Sequence, residues 1–321
     1  MNNQQSFLKQ RHSKFSTPQE EIFNLVIKAT GEKPIKRTKV VKGYDNEVYF
    51  VDTKKGNTYV VKIRWFGSVT YKEEAWVLKQ CKKANVPVPK ILLLDEVELK
   101  DGKHETMVQE KIKGSPLAQI KKSLTNSQLE KVLIKAGKVL SRIHRIKVEG
   151  FYRRNKKGEW RYSTWQQFAN SMVRARSQEK PYLLQAGITK KEFALLIKAL
   201  EEYRNNFDCK QPVLCHGDFL PEHIFVDDKL NITGIIDFGM YEGNHPVHDF
   251  AFISFQAPSL NLEEIKKGYS NKVIFDEKFK RRLLLHKIAL QMGYLAHHIK
   301  ENMTYKAKFV YQTLRESLRE L

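Results

Sequence analysis

With 321 residues, 41% of them apolar and 11% aromatic, the chain can bury a substantial core in two lobes, which excludes general disorder. Its formal charge of +21 would suit a polyanion partner, but the lysines are scattered among Glu and Asp, and runs such as Lys121-Lys122 and Lys266-Lys267 are short. We read it as a solvated surface with no nucleic-acid or membrane partner. No apolar run reaches bilayer length and the N-terminus has no apolar leader. Cys81, Cys209 and Cys215 lack the spacing of a disulfide frame or zinc site, so a cytoplasmic chain with free thiols is expected.

Residues 1–16 are polar and basic and are expected to be mobile. Thr17-Pro18-Gln19-Glu20 reads as a capping box with Pro in the first helical position, opening a helix that ends near Gly31. Val48 to Val51 and Tyr59 to Ile63 are β-rich runs joined by the turn cluster Lys54-Lys55-Gly56-Asn57. A helical pattern from Tyr71 to Ala84 is stopped by Val86-Pro87-Val88-Pro89, and strand signal returns at Ile91 to Leu94 and Thr106 to Gln109. Beyond Gly114 helix dominates, with apolar residues at helical spacing from Leu129 to Ile146. A basic loop is expected from Gly150 to Gly158, then helices around Trp165 to Ala175 and Lys190 to Phe207. A β-rich island follows from Val213 to Phe238, and after about Leu262 helix runs to the end.

The island carries the chemistry. Leu214-Cys215-His216-Gly217-Asp218 is an apolar strand running into a tight turn, and Ile235-Ile236-Asp237-Phe238-Gly239 is a second strand ending in an acid. Two carboxylates presented this way would converge on one point. Phosphoryl transfer needs one to take the proton of an attacking hydroxyl and another to hold Mg²⁺ against phosphates. Alone, either Asp reads as a turn residue; the ordered pair does not. Lys62 lies inside an apolar strand, where a cation is costly without a partner, and Glu74 in the following helix is the natural one, with Glu73 adjacent.

These residues resemble the aminoglycoside phosphotransferase and choline kinase superfamily, whose catalytic loop reads His-Gly-Asp with Asn five residues on. Here the matching residues are His216, Gly217, Asp218 and, in place of the Asn, His223. The resemblance spans about Gly43 to Asp249 and includes Leu140-Ser141-Arg142-Ile143-His144, in which His144 is given no chemical role. It implies an α+β, bilobal, protein-kinase-like fold. Residues 17–112 would form a small, mainly β, nucleotide-binding lobe, and residues 113–321 a larger, mainly α, catalytic and substrate-binding lobe.

By the same resemblance Asp218 is the catalytic base and Asp237 the main metal ligand. His223 binds metal, reaches a phosphate or holds a water, since imidazole is a softer ligand than Mg²⁺ prefers. Lys62 and Glu74 serve the nucleotide phosphates. Gly43-Tyr44-Asp45-Asn46-Glu47-Val48 occupies the place of a phosphate-covering loop, with Asn46 as its contact. The backbone of Glu110 and Ile112 would meet the purine edge of ATP or GTP. Asp249 braces the catalytic loop or meets substrate, or else only complements a helix N-terminus. The His at position 223 leans toward antibiotic-modifying branches. The acceptor hydroxyl is therefore expected on an aminoglycoside-type small molecule, with a macrolide or a sugar or choline-like metabolite as the alternative, and the protein as a monomer or dimer. A protein kinase is disfavoured because the loop is not His-Arg-Asp. A pseudokinase or basic nucleic-acid-binding module is disfavoured because Lys62, Glu74, Asp218 and Asp237 are all present.

Overall fold

The structure, a computed structural model, describes residues 12, 13, 15–41, 46–67 and 69–321. Gly43, Tyr44 and Asp45 of the expected phosphate-covering loop, and most of the first sixteen residues, lie outside the described residues.

The N-terminal lobe begins with helix α1 (Gln19–Thr30) and continues into an antiparallel sheet of β1 (Pro34–Val40), β2 (Asn46–Thr53), β3 (Thr58–Arg64), β4 (Ile91–Leu99) and β5 (Gly102–Glu110), in the spatial order β1-β2-β3-β5-β4. Strand β2 alternates between buried and half-buried positions, as a strand with one packed face should. Strand β3 is central and buried along most of its length, which explains its unbroken apolar run and the enclosure of Lys62. Ile22, Leu25 and Val26 of α1 pack on Tyr49, Val51, Val61 and Ile63 to form this lobe's core. Helix α2 (Tyr71–Lys83), capped by the Thr70 side chain on the Glu73 amide, lies between β3 and β4 in sequence.

One expectation fails here. The box at Thr17 does not form: Pro18 is the N-cap without a side-chain bond, and the Thr17 hydroxyl donates instead to buried Glu47 at 2.6 Å. Just before it, the described Phe15 packs on the sheet. Phe15 is 3% exposed and stacks on Trp65, and Lys39 donates to the carbonyls of His12 and Phe15.

The chain then enters a larger, mainly helical lobe through β6 (Ser115–Pro116) and α3 (Leu117–Ile120). Helix α4 (Asn126–Ile143) opens with a complete capping box between Thr125 and Gln128. The expected basic loop is a hairpin, β7 (Phe151–Arg154) and β8 (Trp160–Tyr162). Helices α5 (Trp165–Gln178), α6 (Lys180–Gln185) and α7 (Lys190–Asn206) lead to the island of β9 (Val213–Cys215), β10 (Ile224–Val226) and β11 (Ile232–Ile235). A short 3-10 turn (Phe238–Met240) and β12 (Glu242–Asn244) follow, then α8 (Val247–Gln256), α9 (Leu262–Gly268), α10 (Phe279–Lys300) and α11 (Thr304–Arg319). Helix α8 is buried nearly all round and sits at the centre of the lobe.

Two pairings bring the motifs together. Strand β12 pairs with β9, setting Glu242 opposite Cys215, and β10 pairs with β11, setting Ile224 opposite Ile235. The Ile236 amide donates to the His223 carbonyl at 3.1 Å. The segment carrying Asp218 and His223 is thus stitched on both sides to the segment carrying Asp237.

Candidate active site

Asp218 lies in a turn whose shape is set by Gly217. Gly217 has φ of 77°, and a Cβ there would run into the Met240 carbonyl, so only glycine fits. Buried Asp249 on α8 accepts from the backbone amides of His216 and Gly217, both at 2.8 Å, and from His144 Nε2 at 2.9 Å. Tyr269 completes the brace through its hydroxyl on His144 Nδ1 at 2.9 Å. Of the three readings of Asp249, this geometry is that of a loop brace. His144, with no chemical role expected, is part of it. Burial opposes the Asp249 charge, but the His144 hydrogen bond and the neighbouring imidazoles hold its pKa well below the usual range.

His216 is fully buried and ties the two acidic segments. Its Nδ1 accepts from the Asp218 amide at 3.1 Å, so Nε2 carries the proton and donates to the Ile236 carbonyl at 3.1 Å. Burial pushes its pKa down to about 4, which keeps this tautomer neutral.

Asp218, His223 and Asp237 form one cluster whose donor atoms all lie within 4.8 Å of one another. His223 Nδ1 is 2.8 Å from the Asp218 carbonyl, which can only accept, so Nδ1 is the protonated nitrogen. Nε2 is thereby turned to Asp237 Oδ2 at 3.5 Å, while Asp218 Oδ2 lies 3.4 Å from Nδ1. Asp237 has a left-handed backbone, φ 66° and ψ 61°, at a cost of about 1–3 kcal/mol for a non-glycine residue. That twist turns its carboxylate into the cleft, where the side chain keeps 49% of its exposure.

The charges are mutually adjusted. Burial raises Asp218 to about 7, with Asp237 adding and His223 opposing. Burial would lower His223, but Asp237 and Asp218 outweigh it and raise the imidazole. Burial would raise Asp237, but His223 and Lys62 outweigh it and lower the carboxyl. A pair of carboxylates with an oriented imidazole fits a divalent cation. The oxygens suit Mg²⁺, and a hydrogen bond from the far ring nitrogen, here Nδ1 to the Asp218 carbonyl, is what orients a ligating histidine.

Across the cleft, Lys62 Nζ is 2.7 and 3.0 Å from the two Glu74 oxygens. Burial would lower the Lys62 pKa, but Glu74 and then Asp237 of the other lobe raise it. Lys62 also lies over the Tyr71 ring at 5.3 Å, and the Tyr71 hydroxyl donates to Asn46 Oδ1 at 2.9 Å, which places Asn46 beside the pair. Glu110 closes β5 with its amide bonded to the Lys90 carbonyl and its side chain 3.7 Å from Lys90 Nζ. Ile112 lies in the crossover between lobes, where Thr233 of β11 donates to the Lys113 carbonyl at 2.6 Å. A second His/Cys/Asp group, His144, Cys215 and Asp249, is wholly buried with its Asp and His already hydrogen-bonded, so it belongs to the brace.

The model of the phosphotransferase enzyme family matches residues 36–277, which hold every one of these side chains. The chain belongs to that family. This phosphotransferase shares its fold with solved enzymes at low identity. A thermostable mutant of aminoglycoside phosphotransferase APH(4)-Ia, in ternary complex with AMP-PNP and hygromycin B, aligns with TM-score 0.71 and 19% identity, covering 93% of this chain and 98% of that one. The GDP and kanamycin complex of APH(2″)-IIIa aligns with TM-score 0.66 and 13% identity over 94% and 99% of the two chains. A candidate fructosamine-3-kinase from Thermobifida fusca aligns with TM-score 0.67 and 18% identity over 94% and 98%. No curated protein matches the sequence.

Proposed function

We propose that this phosphotransferase moves the γ-phosphate of ATP or GTP onto a hydroxyl of an aminoglycoside-type small molecule. The observation that carries the reading is the convergence of Asp218, His223 and Asp237 within 4.8 Å, in electrostatic reach of the buried Lys62–Glu74 pair. Asp218 takes the proton of the acceptor hydroxyl, whose oxygen forms the new bond to phosphorus as the bond to the nucleoside diphosphate breaks. Lys62, steadied by Glu74, holds the nucleotide phosphates, and Asn46 helps seat them. The Glu110 carbonyl and the Ile112 amide meet the base. Asp237 and His223 Nε2 would hold Mg²⁺, which would supply charge neutralisation along the phosphates. Asp249 and His144 keep the Asp218 turn in place. The three buried free thiols suit a reducing cytoplasm.

The acceptor class rests on the family and on the aminoglycosides held by two of the structural neighbours. A metabolite acceptor is the second reading, favoured by the equally similar fold of the candidate fructosamine-3-kinase. A panel of aminoglycosides, macrolides, sugars and amino alcohols, each with ATP and with GTP, decides between them by product mass. A gain of one phosphate on an aminoglycoside is expected. Phosphorylation confined to sugars or amines selects the metabolite reading, and no product on any acceptor overturns both.

A further inference from the structure

Helix α2 is held to the catalytic lobe by a second buried link that phosphate binding does not use. Glu73, the neighbour of Glu74, is 5% exposed and points elsewhere, accepting from the hydroxyl of fully buried Tyr241 at 2.9 Å. Tyr241 follows directly on the 3-10 turn that begins after Asp237. The hairpin of β7 and β8 closes around this bond. The Arg154 guanidinium lies 4.1 Å over the Trp76 ring of α2, with Nε 3.7 Å from Glu73 Oε2. Trp160 sets its edge against both Trp76 and Tyr241, at ring distances of 6.0 and 6.4 Å. A Cβ at Gly243 would collide with Trp160 and the Gly150 carbonyl, so the indole is seated by the absence of a side chain there.

We infer that Tyr241 and Glu73 are positioning residues, which register α2, and with it the Lys62–Glu74 pair, against the Asp237 turn. Lys62 and Asp237 lie in different lobes, and each must address the same phosphates. Adjacent acids on one helix project about 100° apart, so Glu74 fixes the lysine while Glu73 fixes the helix. A buried carboxylate that loses the phenol is left with the Arg154 guanidinium, 3.7 Å away, and shifts toward it, because a buried acceptor short of a donor costs more than the bond itself is worth. Rotation of α2 would follow, and Glu74 would be carried off Lys62. The inference rests on the reading of the cleft as a nucleotide site.

Tyr241→Phe keeps the ring and removes only the donor. We expect its Kd for ATP or GTP, titrated without acceptor, to rise about tenfold, while the acceptor KM at saturating nucleotide changes by less than about twofold. Hydrogen exchange should quicken in α2 and leave α4 and α8 protected. Glu73→Gln still offers an oxygen to the phenol and should restore most of the affinity, whereas Glu73→Met should repeat the loss. Lys62→Ala is the parallel arm. If it weakens nucleotide binding while Tyr241→Phe does not, the positioning role is overturned and the nucleotide site stands. If Lys62→Ala has no effect, the nucleotide reading falls and the positioning role with it. A uniform rise in hydrogen exchange across both lobes also overturns the inference, since Tyr241 would then serve only global stability.

Discussion

Asp218 owes its place to main-chain geometry more than to its own side chain. Gly217 supplies the left-handed turn, His216 accepts from the Asp218 amide, and the Asp218 carbonyl accepts the hydrogen bond of His223 Nδ1. Loss of the carboxylate charge should therefore spare the loop. Asp218→Asn is expected to lower kcat by about 10²–10⁴ while leaving nucleotide affinity in place, read by single-turnover kinetics beside nucleotide titration. Unchanged turnover would remove Asp218 from the chemistry. At this scale Lys62, Asp218 and Asp237 were legible, because each is a charge beside an apolar strand and such a charge demands a reason. Glu73, His144 and Tyr241 were not legible. Their partners lie far off along the chain, Tyr241 with Glu73 and His144 with Asp249, and no local pattern announces a hydrogen bond across such a separation.

Among the elements, α8 does the most for the site. Its buried face carries Asp249, which accepts two adjacent loop amides and a histidine at once. Asp249→Asn leaves one oxygen to do the work of two, so one buried amide or His144 loses its acceptor. We expect a loss of about 3–5 kcal/mol in urea unfolding, and a fall in kcat exceeding that in nucleotide affinity, because the strained loop belongs to the catalytic side. Equal stability of the variant and the parent would show that the brace carries no load. Helices α2, α4 and α7 were readable from apolar spacing, and Thr70, Thr125 and Thr189 cap them. The hairpin from Phe151 to Tyr162 read as a loop because its strands are short and rich in charge. Its pairing depends on β12, which follows much later in the chain. Thr17 misled for a related reason. Its capping signature is genuine, but a buried glutamate competes for the hydroxyl and prevails.

Across the whole molecule, buried histidines set the response to acid. His216 and His298 are driven to about 4, His245 to about 3 and His286 well down, each chiefly by burial. Between these values and the ordinary 6.5 the unfolded chain takes up protons that the folded chain refuses, so stability rises with pH across that window. Asp218, raised to about 7, and His223, also raised, act in the opposite sense, two groups against four. The urea midpoint should be lower at pH 5 than at pH 7.5 with an unchanged slope; an equal or higher midpoint at pH 5 would contradict this assignment.

Most of the order of strands and helices, the two acidic motifs and the lysine that answers them were determined by the sequence alone, since each rests on periodicity or on a charge set in an apolar run. What the second glutamate, Glu73, is for, where the Thr17 hydroxyl goes, and how Tyr241 ties the lobes together were decided only by the tertiary structure. Those choices are competitions between partners of equal local merit, and only the packed arrangement of distant segments determines which partner is within reach.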